Sequence, residues 1–200
     1  ANVTALNFRI VQSRQASPQG RTTEERLNEQ IAYQEKELGR LRQAALRDPV
    51  TGGANMRCLS MAYDWVEDDD PVSVLLVDVD GFHKVNDALG RDCGDAVLLA
   101  LHNELERCLR WDDIAARESG DRFVALLPLA IKEDAEAVAE RLRASVERMV
   151  FQSKMGRFKL TVRIGCANRS RGESLNSVLS RADVATRNGE CLGGNVVYAS

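Results

Sequence analysis

The chain has 200 residues, 44% of them hydrophobic and 28% charged, enough for one packed domain with an appendage. Its 27 Lys and Arg against 30 Asp and Glu leave a net charge of −3, which gives no general reason to bind nucleic acid or an anionic membrane. No apolar run approaches the length of a spanning helix, and no signal peptide is visible. Cys58, Cys93, Cys108, Cys166 and Cys191 form no C-x-x-C pair, and their odd number does not suggest a disulfide framework. The expectation is thiols in a reducing cytoplasm, whether the protein is cytoplasmic throughout or this is the cytoplasmic part of a larger or membrane-attached one. His83 and His102 are too few and too isolated for a zinc site.

Residues 1–23 are polar, contain Ser17-Pro18-Gln19-Gly20, and read as a linker or the tail of a preceding module. Over 24–47, Leu27, Ile31, Gln34, Leu38, Leu41 and Ala45 recur at alternating steps of four and three among Glu, Lys and Arg. That spacing predicts a signalling helix that pairs two copies in a short coiled coil; a lone amphipathic helix has the same pattern. Residues 48–200 form the globular part. Asp48-Pro49 ends the first helix, because the residue before proline is pushed out of helical geometry. A helix is predicted from Asn55 to about Val66, then a buried β-branched strand from Val72 to Asp78. Helices follow at His83 to Leu89 and Gly94 to Leu109. Ile114 to Glu118 and Phe123 to Leu127 read as two strands joined at Ser119-Gly120-Asp121-Arg122. Lys132 to Met149 is a helix with Ala135, Val138, Ala139, Leu142 and Val146 on one face. Leu160 to Ala167 is a strand, Ser174 to Asn188 a helix, and Val196 to Tyr198 a last strand. Strands alternating with helices, plus one hairpin, give an α+β fold with a mixed sheet flanked by helices.

Five segments in order resemble one family. Asp48-Pro49-Val50-Thr51-Gly52 with Asn55 and Arg57 is similar to D-x-L-T-G-L-x-N-R. Asp78-Val79-Asp80, Phe82 and Asn86-Asp87 are similar to D-x-D-x-F-K-x-x-N-D. Gly94-Asp95, then Arg181-Ala182-Asp183 with Ala185, then Gly193 and Asn195 match its G-D, R-A-D-x-A and closing G-R-N. Arg117 to Phe123 stands where the signature hairpin belongs. The globular part is thus identified as a member of the GGDEF family, the diguanylate cyclases, which join two GTP into cyclic di-GMP. The resemblance implies a five-stranded sheet of the nucleotide-cyclase and polymerase-palm kind.

The five signature letters read Ser119-Gly120-Asp121-Arg122-Phe123. The resemblance assigns metal binding to Asp78, Asp121 and the Val79 carbonyl, and guanine contacts to Asn86 and Asp95. Arg122 stands where a second carboxylate belongs; a guanidinium neither ligates a cation nor acts as a base. Glu118 is no substitute on a straight strand, where four residues span about 13 Å. Ser119 replaces a glycine that lets backbone approach the nucleotide. The family's three triphosphate cations fall on His83, Glu190 and Gly194, so the cradle is lost. No cofactor is required on this reading, and Mg²⁺ enters only if GTP still binds.

Arg110-Trp111-Asp112-Asp113 stands where the resemblance places a product-binding R-x-x-D site, with Arg141 as its supporting arginine. Guanidinium forks match phosphate and the guanine O6/N7 edge. Trp111 is either a core anchor or a stacking surface, and the core is the expectation. The leading expectation is a catalytically inactive domain that is a cyclic di-GMP receptor, homodimeric through its first helix, with no nucleic acid partner. The rival readings are a GTP-sensing module of a larger protein carrying an EAL phosphodiesterase or sensor domain, a residual cyclase, and a nucleotide-free interaction scaffold.

Overall fold

The computed structural model describes residues 22–191 and 193–199; of the expected linker over 1–23, residues 1–21 lie outside them, and Thr23 already belongs to the first helix. The chain divides into two compact units at Ala45/Leu46. The first contains α1 (Thr23–Ala45). A reciprocal cap starts this helix: Thr22 Oγ1 accepts from the Glu25 N–H at 3.2 Å, and the Glu25 carboxylate accepts from the Thr22 N–H at 2.7 Å. Leu27, Ile31, Leu38 and Leu41 are all exposed along it.

The second unit holds β1 (Ala54–Asn55), α2 (Met56–Trp65), β2 (Val72–Val79), α3 (Phe82–Leu89), α4 (Arg91–Cys108), β3 (Ile114–Ser119) and β4 (Arg122–Pro128). It continues with α5 (Lys132–Arg148), β5 (Phe151–Ser153), β6 (Gly156–Phe158), β7 (Val162–Asn168), α6 (Leu175–Cys191) and β8 (Val197–Ala199). The sheet runs β1-β3-β4-β2-β7-β8; the β1/β3 and β7/β8 pairs are parallel and the rest antiparallel. It therefore has six strands rather than the expected five. The extra one, β1, is two residues long and carries no apolar run from which to read it. The β5–β6 hairpin was also illegible, since it lies outside the main sheet and is held by Phe151 stacked on Phe158 with centroids 5.4 Å apart.

β2 is buried at every position except Asp78, because it lies between β4 and β7 with helices on both faces. Leu75, Val77 and Val79 point to one core with Phe82 and Val85 of α3, Leu98 and Leu101 of α4, and Leu142 and Val146 of α5. Val74 and Leu76 point the other way, to Leu59 and Tyr63 of α2 and Val178 and Ala182 of α6. In the first core the Cys166 thiol is pushed up to about 12 by burial.

Two polar ties close the second face. The Tyr63 hydroxyl donates to the Glu173 carbonyl at 2.7 Å. The Glu173 carboxylate accepts from Arg181 at 2.6 and 3.0 Å, from the Ser170 N–H at 2.8 Å and from the Ser177 hydroxyl at 2.7 Å. The Arg181 guanidinium, helped by these donors, lowers Glu173 from 4.5 to about 2. A depressed carboxylate stabilises the fold fully above its unfolded pKa, and the contribution is lost as pH falls through the folded one. Glu173→Gln is therefore expected to lower the melting temperature at pH 7, and to flatten its fall between pH 4.5 and about 2. Parallel melting curves of variant and wild type across that window would contradict the assignment.

Candidate functional site

The signature hairpin connects β3 and β4. Gly120, with φ +55, makes the reversal that L side chains rarely allow. Arg117 pins it from behind, donating to the Gly120 carbonyl at 2.9 and 2.8 Å and pairing with Asp48 at 3.1 Å. Asp48 in turn holds the opening turn, where its carboxylate accepts from the Thr51 N–H at 2.8 Å and the Thr51 hydroxyl at 3.0 Å. The Arg117 bond helps to hold the Asp48 carboxyl below its usual value against the opposing effect of burial, which is the largest single influence.

Phe123 is 1% exposed and belongs to the core, whereas Ser119 and Gly120 are exposed at the tip and Asp121 and Arg122 are partly buried. Arg122 Nε lies 2.7 Å from a Glu118 oxygen, and Arg122 Nη2 lies 2.9 Å from Asp183 of α6. The expected separation of positions 118 and 122 is thereby corrected: a straight strand keeps them apart, but the reversal at Gly120-Asp121 folds one onto the other. Asp183 is shared with Arg187 one turn later.

Asp78 is the next-to-last residue of β2 and faces Arg122 on one side and Arg163 of β7 on the other. Arg163 Nη2 is 3.1 Å from Asp78, and Arg163 Nη1 is 2.9 Å from Asp80. Asp80 also accepts from the Thr161 hydroxyl at 2.7 Å and the Asn195 N–H at 2.8 Å. Burial, opposed by Arg163 and reinforced by the Asp121 charge, leaves the Asp78 carboxyl above its usual value. Of the two carboxylates expected to hold a dication, Asp78 is thus occupied by guanidinium, and among the described residues no three Asp, Glu, His or Cys side chains gather to hold a metal ion. The residues present do not fit a Mg²⁺ pair. Sequence reasoning missed Arg163; its signal was a charged side chain alternating with Val162 and Ile164 in an otherwise apolar strand.

The expected guanine contacts lie on adjoining helices, Asn86 on α3 and Asp95 in the first turn and a half of α4. Gly94 is buried against Asn86, and a Cβ there would stand 2.0 Å from Asn86 Oδ1, so only glycine lets α4 start this close to α3. Asp95 follows, exposed. Of the expected phosphate positions, His83 is exposed, Gly194 carries no side chain, and the Glu190 side chain lies outside the described residues. Lys84 instead lines a separate cavity of about 500 Å³ between α3 and the β5–β6 hairpin, with Val85, Leu89, Arg157 and Phe158.

Arg110, Asp113 and Arg141 meet on another surface, at the turn between α4 and β3. The Asp113 carboxylate accepts from the Arg110 N–H at 2.8 Å, closing the turn. Arg141 on α5 donates to the Cys108 carbonyl at 3.2 and 2.7 Å, satisfying an orphan acceptor at the end of α4. Burial raises the Asp113 carboxyl, while the Arg110 and Arg141 charges pull it back. The cleft between Arg110 and Asp113 is small, about 10 Å³, and backed by Leu127, Ala130 and Val138. Trp111 is not in the core as expected: it is 96% exposed, because the turn presents it outward while Leu109 and Ile114 pack inward.

The sequence profile described as "Diguanylate cyclase, GGDEF domain" matches residues 45–196. The chain is similar to the diguanylate cyclase DgcM of Escherichia coli K12, at 34% identity over 90% of this chain and 42% of that protein. It is similar to the response regulator PleD of Caulobacter vibrioides, at 33% identity over 82% of this chain and 38% of that protein. It therefore spans about two fifths of the length of these curated relatives. Among solved structures it resembles the coiled coil and GGDEF domain of DgcB from Caulobacter crescentus in complex with c-di-GMP. That likeness has a TM-score of 0.79 and 27% identity, over 90% of this chain and 100% of that one. With a profile matched across three quarters of its length, this chain belongs to the GGDEF family.

Proposed function

We propose that this domain reads cyclic di-GMP through Arg110, Asp113 and Arg141 and does not synthesise it. The observation that carries the reading is the contrast between the two surfaces. At the signature hairpin the arginines are spent on internal carboxylates: Arg122 on Glu118 and Asp183, Arg163 on Asp78 and Asp80. At the α4–β3 turn the charges of Arg110 and Arg141 act on one partly buried carboxylate at an open surface, and among the described residues neither guanidinium is paired with a carboxylate; Arg141 donates to the Cys108 carbonyl. Guanidinium forks there suit phosphate and the guanine O6/N7 edge, and a carboxylate suits the guanine N1–H and N2–H₂ donors. The relative DgcB, solved in complex with c-di-GMP, supports this ligand class.

The exposed Trp111 supplies a probe. Cyclic di-GMP is expected to change its fluorescence saturably at micromolar concentration. Arg110→Ala removes the response and Trp111→Phe removes the signal, leaving that of Trp65. An unchanged response in Arg110→Ala would place the ligand elsewhere, and no response from the wild type would remove it.

The retained neighbours Asn86, Gly94 and Asp95 favour a second reading, weak recognition of GTP through its guanine as an effector. The partners of such an effector would include an EAL or sensor domain of the full-length protein.

The α1 stripe of Leu27, Ile31, Leu38 and Leu41 supports pairing of two copies, as a lone helix in water has nothing to cover it. The sedimentation mass is expected to rise to a dimer with concentration, and Leu38→Asp is expected to hold it at the monomer. A wild type that stays monomeric at high concentration would remove this part of the proposal.

A further inference from the structure

One rung of the sheet carries three charges side by side. Arg122 on β4, Asp78 on β2 and Arg163 on β7 are direct cross-strand neighbours. Strand alternation puts them on the face of Leu76, toward α6. The two arginines differ in what they hold. Arg122 is turned to Glu118 and Asp183, whereas Arg163 bridges Asp78 and Asp80 with separate nitrogens of one guanidinium.

We infer that Arg163 is the resident cation of the signature site, tying Asp78 to Asp80 and so excluding a divalent ion from Asp78, the carboxylate both would share. The inference rests on reading this site as non-cyclising and is independent of the Arg110 surface. A Mg²⁺ or Mn²⁺ ion needs carboxylate oxygens at about 2.0–2.2 Å and brings two positive charges. It cannot take that position beside a guanidinium already 3.1 and 2.9 Å from the same two carboxylates. Nor can Arg163 simply swing out, since it stands inside the sheet and only 16% of its side chain is exposed.

The closing loop is fitted to this arrangement. Asp80 accepts from Asn195 as well as from Arg163. Gly194 has φ +80, and a Cβ there would stand 2.8 Å from the Asp80 carboxylate. A side chain at position 194 would therefore need both a strained backbone and a displaced Asp80. Arg163, Asp80 and Gly194 form one unit, and the loss of a phosphate-binding side chain at 194 belongs to it.

The test is a Mn²⁺ titration followed by the paramagnetic resonance signal of the unbound ion, on wild type, Arg122→Glu and Arg163→Ser. Wild type and Arg122→Glu are expected to give no saturable site below millimolar Mn²⁺. Arg163→Ser is expected to bind at least about tenfold more tightly, through loss of a positive charge beside two carboxylates. Adding Asp78→Asn should abolish that gain. The melting temperature of Arg163→Ser should fall without metal and recover with Mn²⁺. If Arg163→Ser does not fold, Arg163→Gln carries the test, since it keeps a donor between the carboxylates and removes the charge. Submillimolar Mn²⁺ binding by wild type that Asp78→Asn removes would overturn the inference, as would a folded Arg163 variant with no gain. Cyclic di-GMP binding should be unchanged in every Arg163 variant, and nucleotide synthesis by wild type would sink the non-cyclising reading by a separate readout.

Discussion

Arg122→Glu is expected to restore a carboxylate to the signature and to yield no cyclic di-GMP from GTP and Mg²⁺. The introduced carboxylate would face Asp78 across one rung and lie beside Glu118 and Asp183, which lose their shared cation. Four acids would then crowd a partly buried site whose remaining paired cations among the described residues are Arg163 and Arg187. The expected cost is about 1–3 kcal/mol of stability, from carboxylates left without a counterion. Synthesis still fails because Arg163 holds Asp78 and Asp80, and because the positions expected to grip the triphosphate are His83, Glu190 and Gly194. Joining two nucleotides needs dications bridging phosphate oxygens and cations fixing the chain of phosphates; one exchanged residue supplies neither. Chromatography of nucleotide products after prolonged incubation checks this. Product at a rate above the protein-free control would mean that the hairpin, not the clamp behind it, decides activity.

The second large effect falls on stability. Phe123→Ala is expected to cost about 3–5 kcal/mol, the usual range for emptying a buried phenylalanine site. Phe123 is 1% exposed, pairs with Val77 across the sheet, and stacks near the buried His102 ring at 6.3 Å between centroids. Its neighbours are strand and helix residues fixed by their own hydrogen bonds, so the site cannot collapse cheaply. Against a total stability of roughly 5–15 kcal/mol, this threatens the fold itself. In a domain of this size the melting temperature should drop by about 6–20 °C, at roughly 2–4 °C per kcal/mol. Phe123→Leu should recover most of the loss. A change of a degree or less in Phe123→Ala would mean that the fifth signature letter is not the hairpin's anchor.

The main elements were legible because each carries its own pattern. The run Val72-Ser73-Val74-Leu75-Leu76-Val77 is β-branched and apolar over six residues, and α5 repeats its small and apolar residues at helical spacing. β1 was not legible, since two residues have no period, and it exists only because β3 offers an edge. Trp111 was misplaced because a tryptophan is usually more than half buried, and composition does not reveal which way a turn faces. Straight-strand geometry separates Glu118 from position 122, whereas the turn at Gly120 places it on Arg122. Arg163 was invisible for a related reason. Its meaning lies in the register that sets it beside Asp78, and register follows from the whole sheet rather than from the strand. The site residues drawn from the resemblance sorted into three places: Asp78, Asp121 and Arg122 at the hairpin, Asn86 and Asp95 at the α3–α4 junction, and Arg110, Asp113 and Arg141 at the α4–β3 turn.

The decisive measurement is a calorimetric titration of cyclic di-GMP into this chain, with Arg110→Ala and Asp113→Asn as controls. A reader of cyclic di-GMP gives saturable heat at micromolar or lower concentration, and both substitutions weaken it by at least about a hundredfold, the scale for losing a charged, bidentate contact. Absence of heat from the folded wild type, or heat indifferent to both substitutions, would contradict the assignment of Arg110, Asp113 and Arg141 as the ligand surface.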